Sequence, residues 1–323
     1  MIRIDELTFS YRGRRVYDGL CTRFEKGTVY GLLGKNGAGK TTLLRLMAGL
    51  MECGGGKIEV NGCEPYRRKP EFLDRLYFVP ESMNAPDIPV SDYAAWYGKF
   101  YSGYDGEALL KYLEEFEVDP HGRLSRLSFG QRKKALIAFA LSLNAEVLLL
   151  DEPGNGLDIP SKLCLRRMLS KYAGPDRTVI LSTHQVRDIE DIVDHVAVID
   201  EGRLMLNASV SEIENKIEFV QSDRIMTDAL FSEKVSDGYV NIMKRGYSVN
   251  GYPGPERAGG RQESAAHEEV GTASGNAGKA QSRGVGQLDL EVLFDACTIG
   301  GRSFVQYLTE ISGRSREEVS YVL

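Results

Sequence analysis

Cysteine pairs, long apolar runs and an excess of positive charge are all missing from this 323-residue sequence. The five cysteines are scattered without a Cys-x-x-Cys pair, which indicates reduced thiols in a cytosolic protein and argues against a disulfide or zinc framework. The longest apolar stretch, ALIAFALSLNAEVLLL, is broken by Ser142, Asn144 and Glu146 and is too short to span a membrane. The opening MIRIDELTF has charges where a signal peptide needs an apolar run. We therefore expect a protein that is soluble on its own.

The surplus of basic residues that a nucleic-acid surface needs is also absent, because the net charge is −6 at pH 7. We therefore expect no nucleic-acid partner. Hydrophobic residues make up 42% and charged residues 27% of the chain. These are ordinary globular values, and the length fits one large or two modest domains.

A glycine-rich loop is present between two apolar runs in GLLGKNGAGKTTLLRLMAGL, residues 31–50. Its spacing, Gly34-x4-Gly39-Lys40-Thr41, is the P-loop pattern. Glycines let backbone N–H groups form an anion nest, the lysine reaches the outer phosphates, and the threonine hydroxyl can ligate Mg²⁺. A buried strand before the loop and a helix after it favour this interpretation over a glycine-rich turn without a ligand. The predicted nucleotide contacts are Gly34, Asn36, Gly37, Ala38, Gly39, Lys40, Thr41 and Thr42.

Two adjacent carboxylates end the apolar strand in EVLLLDEPGNGLD. Carboxylates at the C-terminal end of a parallel strand face the crevice in which ligands bind in open α/β sheets. We therefore predict that Asp151 holds Mg²⁺ and that Glu152 acts as the general base on the attacking water. The alternative is an acidic turn without a catalytic role.

Helices alternate with short, nearly continuous apolar strands in much of the chain. GQRKKALIAFALSL has helical spacing and precedes the strand EVLLL, while TVILST and HVAVID are further strands. This alternation predicts an α/β fold with a parallel sheet covered on both faces. Residues 1–30 contain strand-like runs separated by the polar turn RGRR, and residues 85–126 change to helical periodicity, which indicates an inserted helical section.

The segment 251–287 has nine glycines and few sizeable apolar side chains, so we predict a disordered linker there. After it, LDLEVLFDACTIGG and SFVQYLTEISG are typical of short ordered pieces, which makes 288–323 an ordered tail.

The segment LSFGQRKK, residues 127–134, is similar to the signature LSGGQ of the ATP-binding-cassette (ABC) family. With the P-loop and the acidic strand, residues 1 to about 215 resemble the nucleotide-binding subunit of an ABC transporter, followed by an extension at 216–250. The resemblance implies a P-loop NTPase (RecA-like) core with an N-terminal antiparallel β section and an inserted helical subdomain. It also implies ATP and Mg²⁺ as cofactors and a head-to-tail, two-fold dimer with a second ATP-binding subunit. Its further partners are transmembrane permease subunits on separate chains.

The resemblance implies roles for three more residues. Tyr11 matches the aromatic residue that stacks on adenine, although a strand aromatic buried in the core is an alternative. Asp158 matches a loop that communicates across the dimer, and a helix cap explains it almost equally well. His184, at the end of VILSTH, matches the residue that contacts the γ-phosphate and holds the water. With Lys40 and Glu152, it completes the predicted catalytic set.

In the signature, Ser128, Gly130 and Gln131 match residues that contact the ATP of the other subunit, and a plain N-capped helix is the alternative. Two positions depart from the family pattern. Glu81 stands where the family usually has a glutamine that senses the metal, and its carboxylate is still able to ligate Mg²⁺. Phe129 replaces a signature glycine. Neither change removes a catalytic group, but both bear on the turnover rate.

The sequence therefore predicts the ATP-hydrolysing subunit of an ABC exporter, cytoplasmic and peripheral on the inner face of the membrane through its permease. A soluble ABC-type ATPase acting on nucleic acid or ribosomes is one alternative. A non-hydrolysing switch, in which ATP-driven dimerisation is the output, is another, and Glu81 and Phe129 are its motivation.

Overall fold

The computed structural model describes residues 1–82, 84–246, 285–286 and 288–300, together with Phe304, Gln306 and Tyr307. These residues divide into two compact units, one of Met1–Ile213 with Leu293–Leu323 and one of Glu214–Val292. The predicted end of the cassette at residue 215 lies close to the first division.

The described strands and helices alternate along much of the chain. The strands are β1 (Ile2–Tyr11), β2 (Arg14–Phe24), β3 (Val29–Leu33), β4 (Gly55–Val60), β5 (Leu76–Val79), β6 (Val147–Asp151), β7 (Thr178–Thr183), β8 (His195–Asp200), β9 (Arg203–Ser209), β10 (Ile217–Ser222), β11 (Phe231–Val235), β12 (Gly238–Lys244) and β13 (Val285–Gly286). The helices are α1 (Lys40–Met47), α2 (Pro70–Leu73), α3 (Val90–Tyr97), α4 (Gly106–Glu115), α5 (Phe129–Ser142), α6 (Ile159–Tyr172), α7 (Val210–Lys216) and α8 (Leu290–Ile299).

The first unit is built on a six-stranded sheet in the order β5-β6-β7-β3-β8-β9. All neighbouring strands are parallel except β8 and β9, which are antiparallel. Strands β3, β6 and β7 are buried along their whole length, as expected for a parallel sheet covered on both faces. The predicted α/β fold is therefore confirmed.

An antiparallel sheet of three strands, β2-β1-β4, forms the N-terminal part of the same unit. The sequence did not indicate β2, because the whole of RGRR was interpreted as a turn. The turn consists of Arg12 and Gly13, which both have positive φ, and Arg14 already pairs with Tyr11 in the β1–β2 hairpin. Two residues with positive φ reverse the chain tightly, so the following arginines are free to extend as a strand.

The predicted helical section at 85–126 contains α3 and α4. An aromatic cluster joins it to the signature helix α5 and to β5, with Phe139 of α5 at its centre. The Phe139 ring makes edge-to-face contacts with Tyr77 of β5 at 5.7 Å and Tyr93 of α3 at 5.2 Å, and a tilted contact with Tyr104 at 6.2 Å between ring centroids. The helical section and the helix that begins in the signature therefore share one aromatic cluster.

The second unit contains an antiparallel sheet in the order β11-β12-β10-β13. Most of the predicted linker at 251–287 lies outside the described residues. Two of its residues, Val285 and Gly286, are described and pair with Val220 and Phe219 of β10. In the predicted tail, α8 corresponds to LDLEVLFDACTIGG, while most of SFVQYLTEISG lies outside the described residues. None of the helices in the described ranges is long and apolar enough to cross a bilayer.

Replacing Phe139 with alanine is expected to lower the free energy of unfolding by about 3–5 kcal/mol, because it leaves a cavity among several rings. Phe139 is only 1% exposed, whereas Phe100 is 75% exposed, so Phe100→Ala is the control and should change the free energy by less than about 0.5 kcal/mol. Denaturant unfolding of both variants measures the difference. Equal losses would contradict the described packing.

Candidate nucleotide-binding and hydrolysis site

The P-loop runs from the end of β3 to the first turn of α1, and its shape depends on glycine. Gly37 and Gly39 have φ angles of 85° and 115°, which favour glycine. A Cβ on Gly39 would meet the Tyr17 hydroxyl at 2.5 Å, and one on Gly34 would meet the Ile199 carbonyl oxygen at 2.5 Å. Because Gly39 has no side chain, the first-turn N–H groups of α1 have no side-chain cap. Such N–H groups are donors that a phosphate accepts at a helix N-terminus.

The remaining predicted contacts of this loop differ in exposure. Asn36 is exposed at the rim of the loop, while Ala38 and Thr42 are buried. The Ala38 N–H donates to the Lys35 carbonyl at 3.1 Å, which closes the loop on itself. Asn36 is therefore the one of these three side chains that is open to solvent.

Tyr17 supports the P-loop from the neighbouring strand β2. Its hydroxyl donates to the Gly39 carbonyl at 2.7 Å, and the side chain is almost fully buried. Burial raises the pKa of Tyr17 far above its usual value, so the hydroxyl stays a donor. Sequence reasoning missed this contact. Nothing in the sequence distinguishes a strand tyrosine that supports a loop from one that is only part of the core.

Lys40 is the first residue of α1, and its ammonium is directed at main-chain oxygens of the loop. Its Nζ donates to the Gly34 carbonyl at 2.7 Å and the Lys35 carbonyl at 3.3 Å, and it lies 3.6 Å from Glu152 Oε1. Burial lowers the pKa of Lys40, and the negative charge of Glu152 opposes part of that effect. The Lys40 ammonium is therefore close to the carboxylate of Glu152, which directly follows β6.

Glu152 is the point at which the three predicted catalytic residues meet. Its Oε1 lies 2.9 Å from His184 Nδ1 as well as near Lys40. Glu152 has a φ of 47°, which is uncommon for a residue other than glycine. Its N–H donates to the Ser182 carbonyl at 3.2 Å and to Ser182 Oγ at 3.1 Å, so β7 holds this backbone in place.

Asp151 has one satisfied and one unsatisfied oxygen. Its Oδ1 accepts from Thr41 Oγ1 at 3.0 Å and from Ser182 Oγ at 2.6 Å. Its Oδ2 is buried and has no hydrogen-bond partner among the described residues. Sequence reasoning missed Ser182, although a polar residue inside the apolar strand VILST is a signal.

The sequence predicts that Thr41, Asp151 and Glu81 hold Mg²⁺, and the structure shows how these side chains are arranged. In the described part of the chain, no group of three or more His, Cys, Asp and Glu residues is arranged to hold a metal ion. Mg²⁺ is usually held by one or two carboxylates together with substrate phosphates and water. Thr41 and the free oxygen of Asp151 fit such a site once phosphate is present. Glu81 has a different partner, since its Oε1 accepts from Asn155 Nδ2 at 2.7 Å.

The signature residues begin helix α5. Ser128 and Gln131 form a capping box, in which Ser128 Oγ accepts from the Gln131 N–H and Gln131 Oε1 accepts from the Ser128 N–H. The structure therefore shows a capped helix beginning at the signature, a feature that both interpretations of this motif include. A Cβ on Gly130 would meet the Gly156 carbonyl oxygen at 2.8 Å, and one on Gly156 would meet the Phe129 ring at 2.5 Å. The loop after Glu152 thus packs closely on the signature.

Tyr11 and Asp158 each have local contacts. Tyr11 is 43% exposed, which rules out the alternative of a buried core aromatic. Its hydroxyl donates to Met51 Sδ at 3.3 Å, and its ring meets the edge of Phe9 at 4.9 Å between centroids. Asp158 caps α6, because its Oδ1 accepts from the Ser161 N–H at 3.0 Å. Hydrogen bonding to Ser161 lowers the pKa of Asp158.

The site combines a parallel sheet, a glycine loop before a helix without a side-chain cap, and two carboxylates at the end of β6, which is separated from β3 only by β7. These features define a P-loop nucleotide-binding protein. The sequence model described as "ABC transporter" matches residues 17–155. A Nod factor export ATP-binding protein I from Paraburkholderia xenovorans is 32% identical over 66% of this chain and 72% of its own length. The bacitracin transport ATP-binding protein BcrA from Bacillus licheniformis is 30% identical over 69% of this chain and 76% of its own length.

Among solved structures, a dimeric ATP-binding cassette in a post-hydrolysis state, bound to ADP and phosphate, matches with a TM-score of 0.57 at 20% identity. The match covers 65% of this chain and 98% of that cassette. The chain belongs to the ABC transporter ATP-binding proteins, and it is an ATPase subunit of that family.

Replacing Gly156 with alanine is expected to lower the free energy of unfolding by about 1–2 kcal/mol, because φ is positive there and the Cβ meets the Phe129 ring. Gly174→Ala, where a Cβ meets nothing within 4 Å, is the control and should have almost no effect. In a Phe129→Ala background, Gly156→Ala should lower the free energy of unfolding by less, because only the cost of a positive φ remains and the clash with the ring is gone. Denaturant unfolding measures each value, and an unchanged loss in that background would contradict the contact.

Proposed function

We propose that this chain hydrolyses ATP as the nucleotide-binding subunit of an ABC exporter, with the cassette in residues 1–215 and an extension at 216–250. The observation that supports hydrolysis best is the position of Glu152 Oε1, which lies 3.6 Å from Lys40 Nζ and 2.9 Å from His184 Nδ1. A general base, a phosphate-binding lysine and a water-holding histidine are the groups that phosphoryl transfer to water needs at one place.

Each of these residues has a distinct task in the proposal. The first-turn N–H groups of α1 bind phosphate oxygens, and Lys40 exchanges its main-chain acceptors for the outer phosphates. Glu152 accepts the proton of the attacking water, while His184 holds that water and contacts the γ-phosphate. Because Glu152 is buried, it is screened little from the lysine and the histidine, and its charge is correctly placed before the substrate arrives.

Thr41 and Asp151 are proposed to hold Mg²⁺, and Ser182 keeps Asp151 in the required rotamer. Bound Mg²⁺ supplies charge neutralisation at the phosphates. Glu81 is proposed to act near this site as a metal-sensing carboxylate, with Asn155 as its partner in the state described here. The exposed ring of Tyr11 is proposed to stack on adenine.

The functional assembly is proposed to be a head-to-tail dimer of ATP-binding subunits. The signature residues Ser128, Gly130 and Gln131 lie at the N-terminus of α5, where a helix favours an anion. One chain has its own phosphate loop and needs no second phosphate site, so the signature is proposed to serve the ATP of the other subunit. Asp158 is proposed to signal between the subunits while it caps α6.

The exporter assignment rests on two relatives, whose names refer to Nod factor export and bacitracin transport. Separate permease subunits would anchor the protein at the inner face of the membrane. In the helical section, Trp96 is 56% exposed and Phe100 is 75% exposed, so apolar surface is available for such a partner.

Glu152→Gln is expected to lower steady-state ATP turnover at least about a hundredfold, because glutamine cannot accept a proton from water. ATP binding should persist, and the variant should accumulate as an ATP-bound dimer. Phosphate release with Mg²⁺ and ATP, together with size-exclusion chromatography, measures both effects.

Glu114, an exposed glutamate of α4, provides the matched control, because Glu114→Gln should leave turnover unchanged. A wild-type chain that dimerises with ATP but has no turnover to lose would support the non-hydrolysing switch instead.

Affinity purification of the chain from a detergent extract is expected to recover a multi-span membrane protein. The double variant Trp96→Ala and Phe100→Ala should recover less of it, because two exposed apolar contacts are removed while the core is untouched. Mass spectrometry of the eluates measures the ratio. Recovery of soluble proteins or ribosomes alone would argue against the transporter assignment.

A further inference from the structure

Lys133 is a buried cation that the functions described above do not use. It lies in α5, one turn after Phe129, and only 4% of the residue is exposed. Its Nζ donates to the Glu152 carbonyl at 2.5 Å and to the Asn155 carbonyl at 3.4 Å. The ammonium also lies 5.4 Å from the centre of the Phe129 ring. Lys133 therefore connects the signature helix with the loop that follows β6.

A buried ammonium is expensive, and it normally pairs with a carboxylate. Among the ion pairs of the described residues, none involves Lys133. Burial lowers the pKa of Lys133, while the negative charges of Glu81, Asp151 and Glu152 oppose that effect. Hydrogen bonds to two carbonyls and the field of three carboxylates thus keep the cation in place. The cation is directed at the main chain of one short loop.

That loop needs support, because Glu152 adopts a φ of 47°. A residue other than glycine in this region costs about 1–3 kcal/mol, which surrounding contacts have to offset. Ser182 fixes the N–H side of Glu152 from β7. Lys133 fixes its carbonyl side from α5. The two contacts together define the direction in which the Glu152 side chain leaves the backbone.

We propose that Lys133 is a positioning residue for hydrolysis, which holds the Glu152 backbone so that its carboxylate stays beside Lys40 and His184. This inference rests on the proposed role of Glu152 as general base. Lys133 acts on the reaction through Glu152 and makes no contact with the nucleotide itself.

Asn155 extends the connection to Glu81. Its carbonyl accepts from Lys133, while its side-chain amide donates to Glu81 Oε1 at 2.7 Å. Lys133 therefore joins the signature helix to the loop 152–155, and Asn155 joins that loop to the carboxylate at position 81. Consecutive hydrogen bonds thus connect Glu81, Asn155, Lys133 and the backbone of Glu152.

The test compares steady-state ATP hydrolysis by full-length wild type, Lys133→Met and Lys133→Arg with Mg²⁺ and ATP. Lys133→Met keeps the length of the side chain and removes its donors, so kcat should fall about tenfold to a hundredfold, as expected for a misplaced base. KM for ATP should stay within about twofold, because phosphate binding is unchanged. Lys133→Arg keeps the charge and the donors and should recover a large part of kcat.

Lys111→Met, at an exposed position of α4, is the control and should match wild type. Thermal unfolding of each variant separates loss of fold from loss of turnover. Lys133→Leu, which also removes the donors, replaces the methionine variant if that one does not fold, and the same fall in kcat is expected from it. A folded Lys133→Met with wild-type kcat overturns the inference, as does a rise of KM without a fall of kcat. If the wild-type chain itself does not hydrolyse ATP, the proposed hydrolysis is wrong, and the inference about Lys133 is wrong with it.

Discussion

The candidate site depends on the order in which strands lie side by side in the parallel sheet. Strands β6, β7 and β3 are neighbours, and each ends at the same edge. Their ends supply Asp151 with Glu152, Ser182 with His184, and the P-loop. Because parallel strands about 4.8 Å apart end together, side chains more than a hundred positions apart in sequence come within hydrogen-bond distance. Moving any one of these strands to the far side of the sheet would separate the lysine, the carboxylates and the histidine.

Ser182 holds both acidic residues at the end of β6. Ser182 donates to one carboxylate and accepts from the N–H of the next residue, so one hydroxyl fixes both acidic residues relative to β7. Tyr17 performs a comparable task for the P-loop through the Gly39 carbonyl. These supports are buried, and buried hydrogen bonds restrict the geometry more strongly than exposed ones. The residues proposed to contact substrate are therefore held in place by residues with no proposed substrate contact.

Both departures from the family pattern have a partner in the loop PGNGLD. The Phe129 ring packs on Gly156, a position at which a side chain would collide with it. Glu81 accepts a hydrogen bond from Asn155. Small and amide residues in this loop thus accommodate a bulky ring in the signature and a charge at position 81. The two changes read as isolated irregularities in the sequence, but in three dimensions they converge on one turn of chain.

The sequence by itself determined the α/β class, the P-loop and its helix, and the identity of Lys40, Asp151, Glu152 and His184 as candidates, because local spacing and strand periodicity encode these features. It did not reveal β2, and it assigned no task to Tyr17, Ser182, Lys133 or Asn155. Only the tertiary structure decided those contacts. Each is a hydrogen bond between residues of different elements, and such a bond produces no periodic pattern in the sequence. The left-handed backbone conformation of Glu152 was likewise not predictable, because the residues next to it in the sequence do not require it. Motifs are local, whereas the supports that orient them depend on which strands and helices become neighbours.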